Sequence, residues 1–489
     1  MERNPGGAAF LVGESVVCHA GCGVGGGVKM ENWQEKRVMV IGAARQGLAL
    51  CRYLVGRGAR VILNDQRPED QMGAEKATLQ GLNVQWRTGG HPLDLLEEVE
   101  IVFVSGGVPL DMPLLVEAVR RSIPLSNDSQ LFMEQVSAPV IGITGSAGKT
   151  TTTALVGRMA QADVQPPQRA WVGGNIGNPL IEFLDEIKPD DRVVLELSSF
   201  QLELMSVSPQ VAAVLNITPN HLDRHKTMEA YTAAKAHILD FQRSGDVAVL
   251  NREDKGSWGL RSRVKGYLVT FGFEKPSSEF DGTYLEEGQI WWQRNGKRIG
   301  LLPVGEILLR GEHNRLNVLA ACAIAMAAGF SEDAIRAGVS GFRGVAHRLE
   351  HVRTWRGVQW YNDSIATAPE RVRAALRAFS EPIVLLLGGR DKHLPWDELA
   401  ADIRQRVDHV VLFGEAAGKI QQAIGTPTHG ERPFTITRCE SLEEAVLAAA
   451  QVAEAGDVVL LSPGCTSFDA FKDFEERGEA YRLWVNKLS

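Results

Sequence analysis

Short apolar runs, each closed by glycine or small polar residues, alternate along this chain with longer stretches in which apolar positions recur every three or four residues. The first pattern predicts buried β-strands and the second predicts helices packed on them. Their alternation predicts an α/β protein built on mostly parallel sheets.

Three blocks emerge. The first opens with "RVMVIGAARQGLALCRYLVGRGARVILNDQRP". A strand over Val38–Ile41 enters a glycine turn, a helix follows, and a second strand ends at Asp65. A later strand, "EIVFVSGGVP", ends in another glycine turn. This is the pattern of a βαβ nucleotide-binding half. Its turn, Gly42-x-x-x-x-Gly47, is not the full dinucleotide fingerprint, so the ligand stays open. The second block, from Asp128, carries the strands "PVIGIT", "DRVVLELSS", "VAAVLNIT" and "DVAVLN". Residues 257–305 read as short strands and turns, a small β insertion or extension, and "GEHNRLNVLAACAIAMAAG" reads as a buried helix. The third block, from Val345, carries "PIVLLLGG", "HVVLFG" and "DVVLLSPG". The expected domains are therefore 30–127, 128–344 and 345–489. Residues 1–29, glycine-rich and without pattern, are expected to be a disordered extension or an upstream start.

Composition narrows the class. At 489 residues the chain is too long for one core. A net charge of −8 argues against a general nucleic-acid-binding surface. No apolar run reaches the roughly 18 residues of a membrane span. The six cysteines show neither zinc spacing nor a disulfide framework, which fits a reducing cytoplasm.

Candidate chemistry collects at strand ends. "GITGSAGKTTTT" joins a strand to a helix. Gly145, Ser146, Ala147 and Gly148 form a loop whose amides can face an anion at a helix N-terminus. Lys149 would reach outer phosphates, and Thr150, followed by Thr151, would offer a hydroxyl to Mg²⁺. Gly142 and Gly148 are six apart, not the five of the strict motif. Glu196 ends the next strand, where a carboxylate can hold Mg²⁺ or position water. His221, in "NITPNHLDRH", follows a third strand. Lys235, in "YTAAKAHIL", reads by pattern as a solvated helix lysine. In the third block Asp363, Thr367, Arg390, Asp391, Lys392, Ser467 and Phe474 fall at strand ends, which predicts a second ligand face.

In this order the pieces resemble the Mur ligase family, over residues 31–489. The marks are "GKTTT", "GGNIG", "ELSSFQL", "NHLDRH", "AAK", "GEHNRLN", "HRLE", "NDSIAT", "GGRDK" and "LSPGCTSFDAFKDFEERG". The last resembles the D-glutamate-adding member of the family.

The resemblance implies three domains: Rossmann-like, P-loop ATPase-like and Rossmann-like. It implies an ATP-dependent amide ligase that adds D-glutamate to UDP-N-acetylmuramoyl-L-alanine through an acyl phosphate, in peptidoglycan precursor synthesis. Lys149, Thr150 and the rest of the loop would hold ATP, with Asn314, Arg348 and Asp363 contributing from the domain joint. Two Mg²⁺ ions would be held by Thr150, Glu196, His221 and a Lys235 carbamylated by CO₂. Gly42, Gly47, Asp65, Arg67 and Gly107 would bind UDP, and Asn175 and Gln201 the muramoyl part. Thr367, Lys392, Ser467, Phe468 and Phe474 would position D-glutamate. His221 is one candidate base for the incoming amine. A cytoplasmic monomer is expected.

Three positions depart from the family pattern. Ile365 stands where lysine is usual, which removes one cationic contact to D-glutamate; Ala147 replaces Asn, and Gly106 replaces Pro. The alternatives are a sister ligase, such as another Mur or folylpolyglutamate-type enzyme, and a catalytically silent nucleotide-binding regulator. Joint retention of Lys149, Glu196, His221 and Lys235 argues against the regulator.

Overall fold

The computed structural model describes residues 32–489, apart from Asn178, His393, Thr428, His429 and the side chain of Asp223. The expected extension at 1–29 lies outside the described residues. Three sheets follow one another along the chain.

The first is five-stranded and parallel. Its order is Val84–Thr88, Arg60–Asp65, Arg37–Ile41, Ile101–Val104 and Leu125–Ser126. Burial on both faces explains why the central strands are unbroken apolar runs. The central strand turns at Gly42 into the helix Arg45–Gly56. That helix starts so close to the turn that a Cβ at Gly47 would lie 1.9 Å from the Gly42 carbonyl oxygen.

The second sheet has nine strands. Ala170–Gly174, Arg192–Glu196, Val140–Thr144, Val211–Val214, Val247–Asn251, Tyr267–Phe271 and Asp281–Glu286 run parallel. Gln289–Arg294 and Lys297–Pro303 complete it as an antiparallel edge. The region expected as a β insertion or extension is an extension of the main sheet. Its first residues differ from expectation: Lys255–Gly259 is helical, because the Asp254 carboxylate accepts from the Ser257 amide and caps a turn there. A 3₁₀ turn, Leu260–Arg263, continues it. "GEHNRLNVLAACAIAMAAG" forms the helix Glu312–Ala327, buried from Asn317 to Ala325.

The third sheet has six strands, in the order Glu350–Trp355, Val358–Asn362, Val458–Gly464, Ile383–Gly388, Val407–Phe413 and Thr435–Arg438. Only Glu350–Trp355 is antiparallel.

The cores are divided unevenly. One apolar cluster runs from Val38, Val40 and Leu54 of the first domain into Val193, Leu195, Leu202 and Tyr231 of the second. The third domain closes its own two clusters, one on each face of its sheet. Arg477 is fully buried and joins two of that domain's strand-end segments. It donates to the Ser364 carbonyl (2.8 Å), the Ser364 hydroxyl (3.0 Å) and the Cys465 carbonyl (3.2 Å). The four described cysteines are free thiols. No helix among the described residues is long and apolar enough to cross a membrane.

Gly47→Ala forces a methyl into backbone, which cannot yield as a flexible side chain would. The expected cost is about 1–3 kcal/mol, read as a lower urea midpoint at unchanged slope.

Candidate functional site

The strand Val140–Thr144 delivers its C-terminus to a loop that the helix Lys149–Asp163 continues. Gly148 caps that helix with φ +81, and a Cβ there would lie 2.2 Å from Asn317 Oδ1. Only glycine meets both constraints. The Ala147 amide donates to Asn216 Oδ1 (2.8 Å), and Asn216 Nδ2 donates back to the Ala147 carbonyl (3.1 Å). The Ser146 hydroxyl meets the Thr218 carbonyl and the Tyr231 hydroxyl, both at 3.0 Å. The loop is therefore braced from two sides before any ligand arrives.

Two lysines converge on its carbonyls. Lys149 Nζ donates to the Gly145 carbonyl (2.8 Å). Lys235, on the helix Met228–Asp240, is almost wholly buried and donates to the same carbonyl (3.0 Å) and to Thr144 Oγ1 (3.3 Å). The solvated-lysine reading of Lys235 is thereby corrected: the helix turns this face into the sheet. Burial, with Lys149 alongside, pushes the Lys235 ammonium down to about 6, so its amine is neutral at neutral pH. Burial lowers Lys149 as well.

Glu196 ends the neighbouring strand and is buried. Its Oε1 accepts from Asn175 Nδ2 (2.9 Å); its Oε2 is buried with no hydrogen-bond partner. A buried carboxylate oxygen of this kind is costly unless a cation completes it, which is the donor chemistry that suits Mg²⁺. His221 is exposed, left-handed at φ 53, and lies edge-on to Phe200 with ring centroids 5.1 Å apart. Among the described residues no group of three or more His, Cys, Asp or Glu could hold a metal alone.

Arg348 enters from the joint with the third domain. It stands between two left-handed residues, His347 (φ 62) and Leu349 (φ 43). Asp363 Oδ1 accepts from the Leu349 amide (3.2 Å) and Oδ2 from the Ser462 hydroxyl (2.8 Å), so this carboxylate braces the Arg348 segment. Burial pushes Asp363 up to about 7. Burial lowers Arg348, with Arg371 adding repulsion and Asp363 and Glu196 opposing it. Sequence reasoning missed Arg371, one turn into the helix Pro369–Leu376, because an exposed helix arginine carries no signal.

Between the loop and the third domain lies a cavity of about 620 Å³. Gly148, Thr151 and Arg348 line one part of it, and Leu309, Tyr361 and Phe379 another. Such a polar-to-apolar gradient suits a phosphorylated base. Asn314 lines it too and is oriented by the Arg310 carbonyl (2.7 Å) and Asn317 Nδ2 (3.1 Å). Arg310 crosses the joint to Glu381 and to Gln359 Oε1 (2.6 Å), with its guanidinium over Tyr361 and Phe379.

Two further faces flank this centre. In the first domain the Asp65 carboxylate accepts from the Ala43 amide (2.8 Å) and pairs with Arg67, which also reaches Glu75. Gly107 is exposed on the turn opposite. Gln201 is buried and committed: its oxygen accepts from the Ser198 amide (3.0 Å), and its nitrogen donates to Ser129 Oγ (2.8 Å). Asn175 is exposed. In the third domain Lys392 Nζ donates to Thr367 Oγ1 (3.2 Å). Ser467 is buried, Phe468 is 60% exposed, and Phe474 meets His347 edge-on. Arg390 pairs with Glu415, and Asp391 with Lys419.

Three family models match successive segments. They are the Mur ligase MurD-like N-terminal domain at residues 36–126, the Mur ligase middle domain at 143–325 and the Mur ligase glutamate ligase domain at 347–465. A curated relative from Symbiobacterium thermophilum, named UDP-N-acetylmuramoylalanine--D-glutamate ligase, is 41% identical over 463 residues, 95% of this chain and 100% of its own. A relative of the same name from Geobacillus kaustophilus is 41% identical over 462 residues, 93% and 98% of the two chains. Among solved structures, MurF from Acinetobacter baumannii matches with TM-score 0.54 at 19% identity, covering 93% of this chain and 94% of its own. The UDP-N-acetylmuramate-alanine ligase MurC from Thermotoga maritima matches with TM-score 0.53 at 20% identity, covering 92% and 100%. These two share the fold.

Gly148→Ala tests the loop. The left-handed conformation costs alanine about 1–2 kcal/mol, and the methyl displaces Asn317. Calorimetric ATP affinity is expected to fall by about tenfold or more while the thermal unfolding profile keeps its shape. Unchanged affinity would remove the loop from nucleotide binding.

Proposed function

The chain belongs to the Mur ligase family, and we propose that it joins D-glutamate to UDP-N-acetylmuramoyl-L-alanine at the expense of ATP. The observation that carries the reaction type is Lys235, buried beside a phosphate loop, together with the uncompleted Glu196 oxygen. The relatives' shared name supports the choice of substrates. A UDP-linked precursor and ATP are cytoplasmic metabolites, which fits a cytoplasmic site of action.

A carboxylate is a poor electrophile, and phosphorylation makes it reactive. The L-alanine carboxylate of the UDP-linked substrate attacks the γ-phosphorus of ATP, whose bond to the β,γ-bridging oxygen breaks so that ADP leaves. The D-glutamate amine, having given its proton to a base for which His221 is a candidate, attacks the acyl phosphate carbon, and the tetrahedral adduct loses phosphate and the second amine proton to leave the amide. Bringing these anions together needs counter-charge and fixed positions. The loop Gly145–Thr151 cradles the phosphates at the helix N-terminus, and Lys149 reaches the outer ones. Arg348, held by the Asp363 brace, adds charge from the third domain, and Asn314 faces the base.

Thr150, Glu196, His221 and a carbamylated Lys235 would hold two Mg²⁺ ions, which would supply counter-charge to phosphate and carboxylate oxygens. Carbamylation requires an unprotonated amine, and burial favours one by pushing the Lys235 ammonium down to about 6. Gly42, Gly47, Asp65, Arg67 and Gly107 seat the UDP moiety, and Asn175 the muramoyl part. Gln201 acts on that part by holding the turn after Glu196, since its own polar atoms are engaged. Thr367, Lys392, Ser467, Phe468 and Phe474 form the D-glutamate face, on which Ile365 contributes no charge.

Phosphate release across a panel of D- and L-amino acids tests the assignment. Release is expected only with both UDP-N-acetylmuramoyl-L-alanine and D-glutamate; turnover with another amino acid and none with D-glutamate overturns it. Lys235→Ala is expected to lose about 10²-fold or more in kcat. Bicarbonate should not restore it, whereas a short-chain carboxylate restores part. ¹³CO₂ at pH 8 should label wild type with a carbamate carbon that the variant lacks. Wild-type activity in that variant rejects the metal-ligand role.

A further inference from the structure

The His221 loop reaches the first domain through Arg224. Arg224 follows His221 by three positions, in the one-turn helix Leu222–His225. Its guanidinium reaches across the domain boundary and donates to the carbonyls of Gly106 (3.4 Å) and Val108. Those carbonyls belong to the turn that carries Gly107. The same turn is tied back to the first glycine turn, because the Ser105 hydroxyl donates to the Gly42 carbonyl (3.1 Å).

On its other side the Arg224 guanidinium lies over the Phe200 ring, 4.6 Å from its centroid. Phe200 stands four residues after Glu196 and is the hub of the contact. His221 meets it edge-on, and His225 stacks on it at 5.3 Å with planes 6° apart. His225 is buried, with Nε2 2.9 Å from the Ser199 hydroxyl and Nδ1 3.1 Å from Glu203. It also packs on Tyr231, whose hydroxyl meets Ser146 of the phosphate loop. The helix is bounded by two non-glycine residues in left-handed conformation, His221 (φ 53) and Lys226 (φ 66). Such backbone persists only where its surroundings hold it.

We propose that Arg224 is a positioning residue that fixes the His221 loop against the Gly106–Val108 turn, so that seating the UDP-sugar in the first domain sets the metal-binding geometry in the second. The proposal rests on the reaction given above. A planar guanidinium suits this position because it serves two carbonyls in its plane and an aromatic ring across its face. An ammonium has no flat face to lay on the ring and no fixed plane in which to hold both carbonyls.

Arg224→Met and Arg224→Lys test it by steady-state kinetics and titration calorimetry. In Arg224→Met, the KM for UDP-N-acetylmuramoyl-L-alanine and the Mg²⁺ concentration for half-maximal rate are expected to rise together by about tenfold. The KM for D-glutamate should stay within about twofold, and Arg224→Lys should fall between wild type and Arg224→Met. A merely structural role would instead lower the melting temperature and scale down kcat with all three dependences unchanged, and that result overturns the proposal. Calorimetric binding of the UDP-linked substrate needs no turnover and should weaken to the same degree. Wild type that binds this substrate without turnover condemns the reaction, whereas Arg224→Met that binds like wild type condemns the coupling.

Discussion

The centre of this molecule is a concentration of positive charge held away from water. Lys149, Lys235 and Arg348 face one another across the phosphate loop, with Glu196 and Asp363 as the buried carboxylates among them. Desolvating each ion costs several kcal/mol, and the folded chain meets that cost by moving protons. Burial pushes Lys235 toward its neutral amine and Asp363 toward its neutral acid. What remains is a cleft whose charge is completed by a polyanion and its metal, which is the physical content of a nucleotide-dependent ligase.

The rest of the fold serves to bring these groups together. Parallel strands present their C-terminal ends on one edge, so Thr144, Glu196 and Asn216 arrive as neighbours from distant sequence. Asn216 then clamps the loop by two hydrogen bonds. The third domain supplies Arg348 through a segment kept in left-handed backbone by Asp363 and by Glu350, which accepts from the His347 amide at 2.9 Å. Arg310 spans the same joint in the opposite direction. The cavity at this joint is therefore walled by two domains whose apolar cores are separate.

Much of this was legible in the sequence because it is local or periodic. Apolar runs marked the strands, and their glycine or carboxylate ends marked the crevice. What was not legible depends on contacts between remote residues. Lys235 looks like any helix lysine until the fold shows that its face is turned into the sheet. Gln201 sits in a motif that reads as a ligand contact, yet it closes a capping box with Ser198 and reaches Ser129. Arg224 and Gly106 are 118 residues apart, and no pattern along the chain announces that pairing. The helical turn at Lys255–Gly259 was missed because one aspartate, not a periodicity, creates it.

The unequal division of the apolar cores bears on how the protein comes apart. One cluster passes without a break from the first sheet into the second, whereas the third domain buries its side chains among themselves. Three sheets thus amount to two cooperative units. Heat or denaturant should release residues 345–489 in one transition and melt the two remaining sheets in another, and a nucleotide bridging the joint would draw the two transitions together.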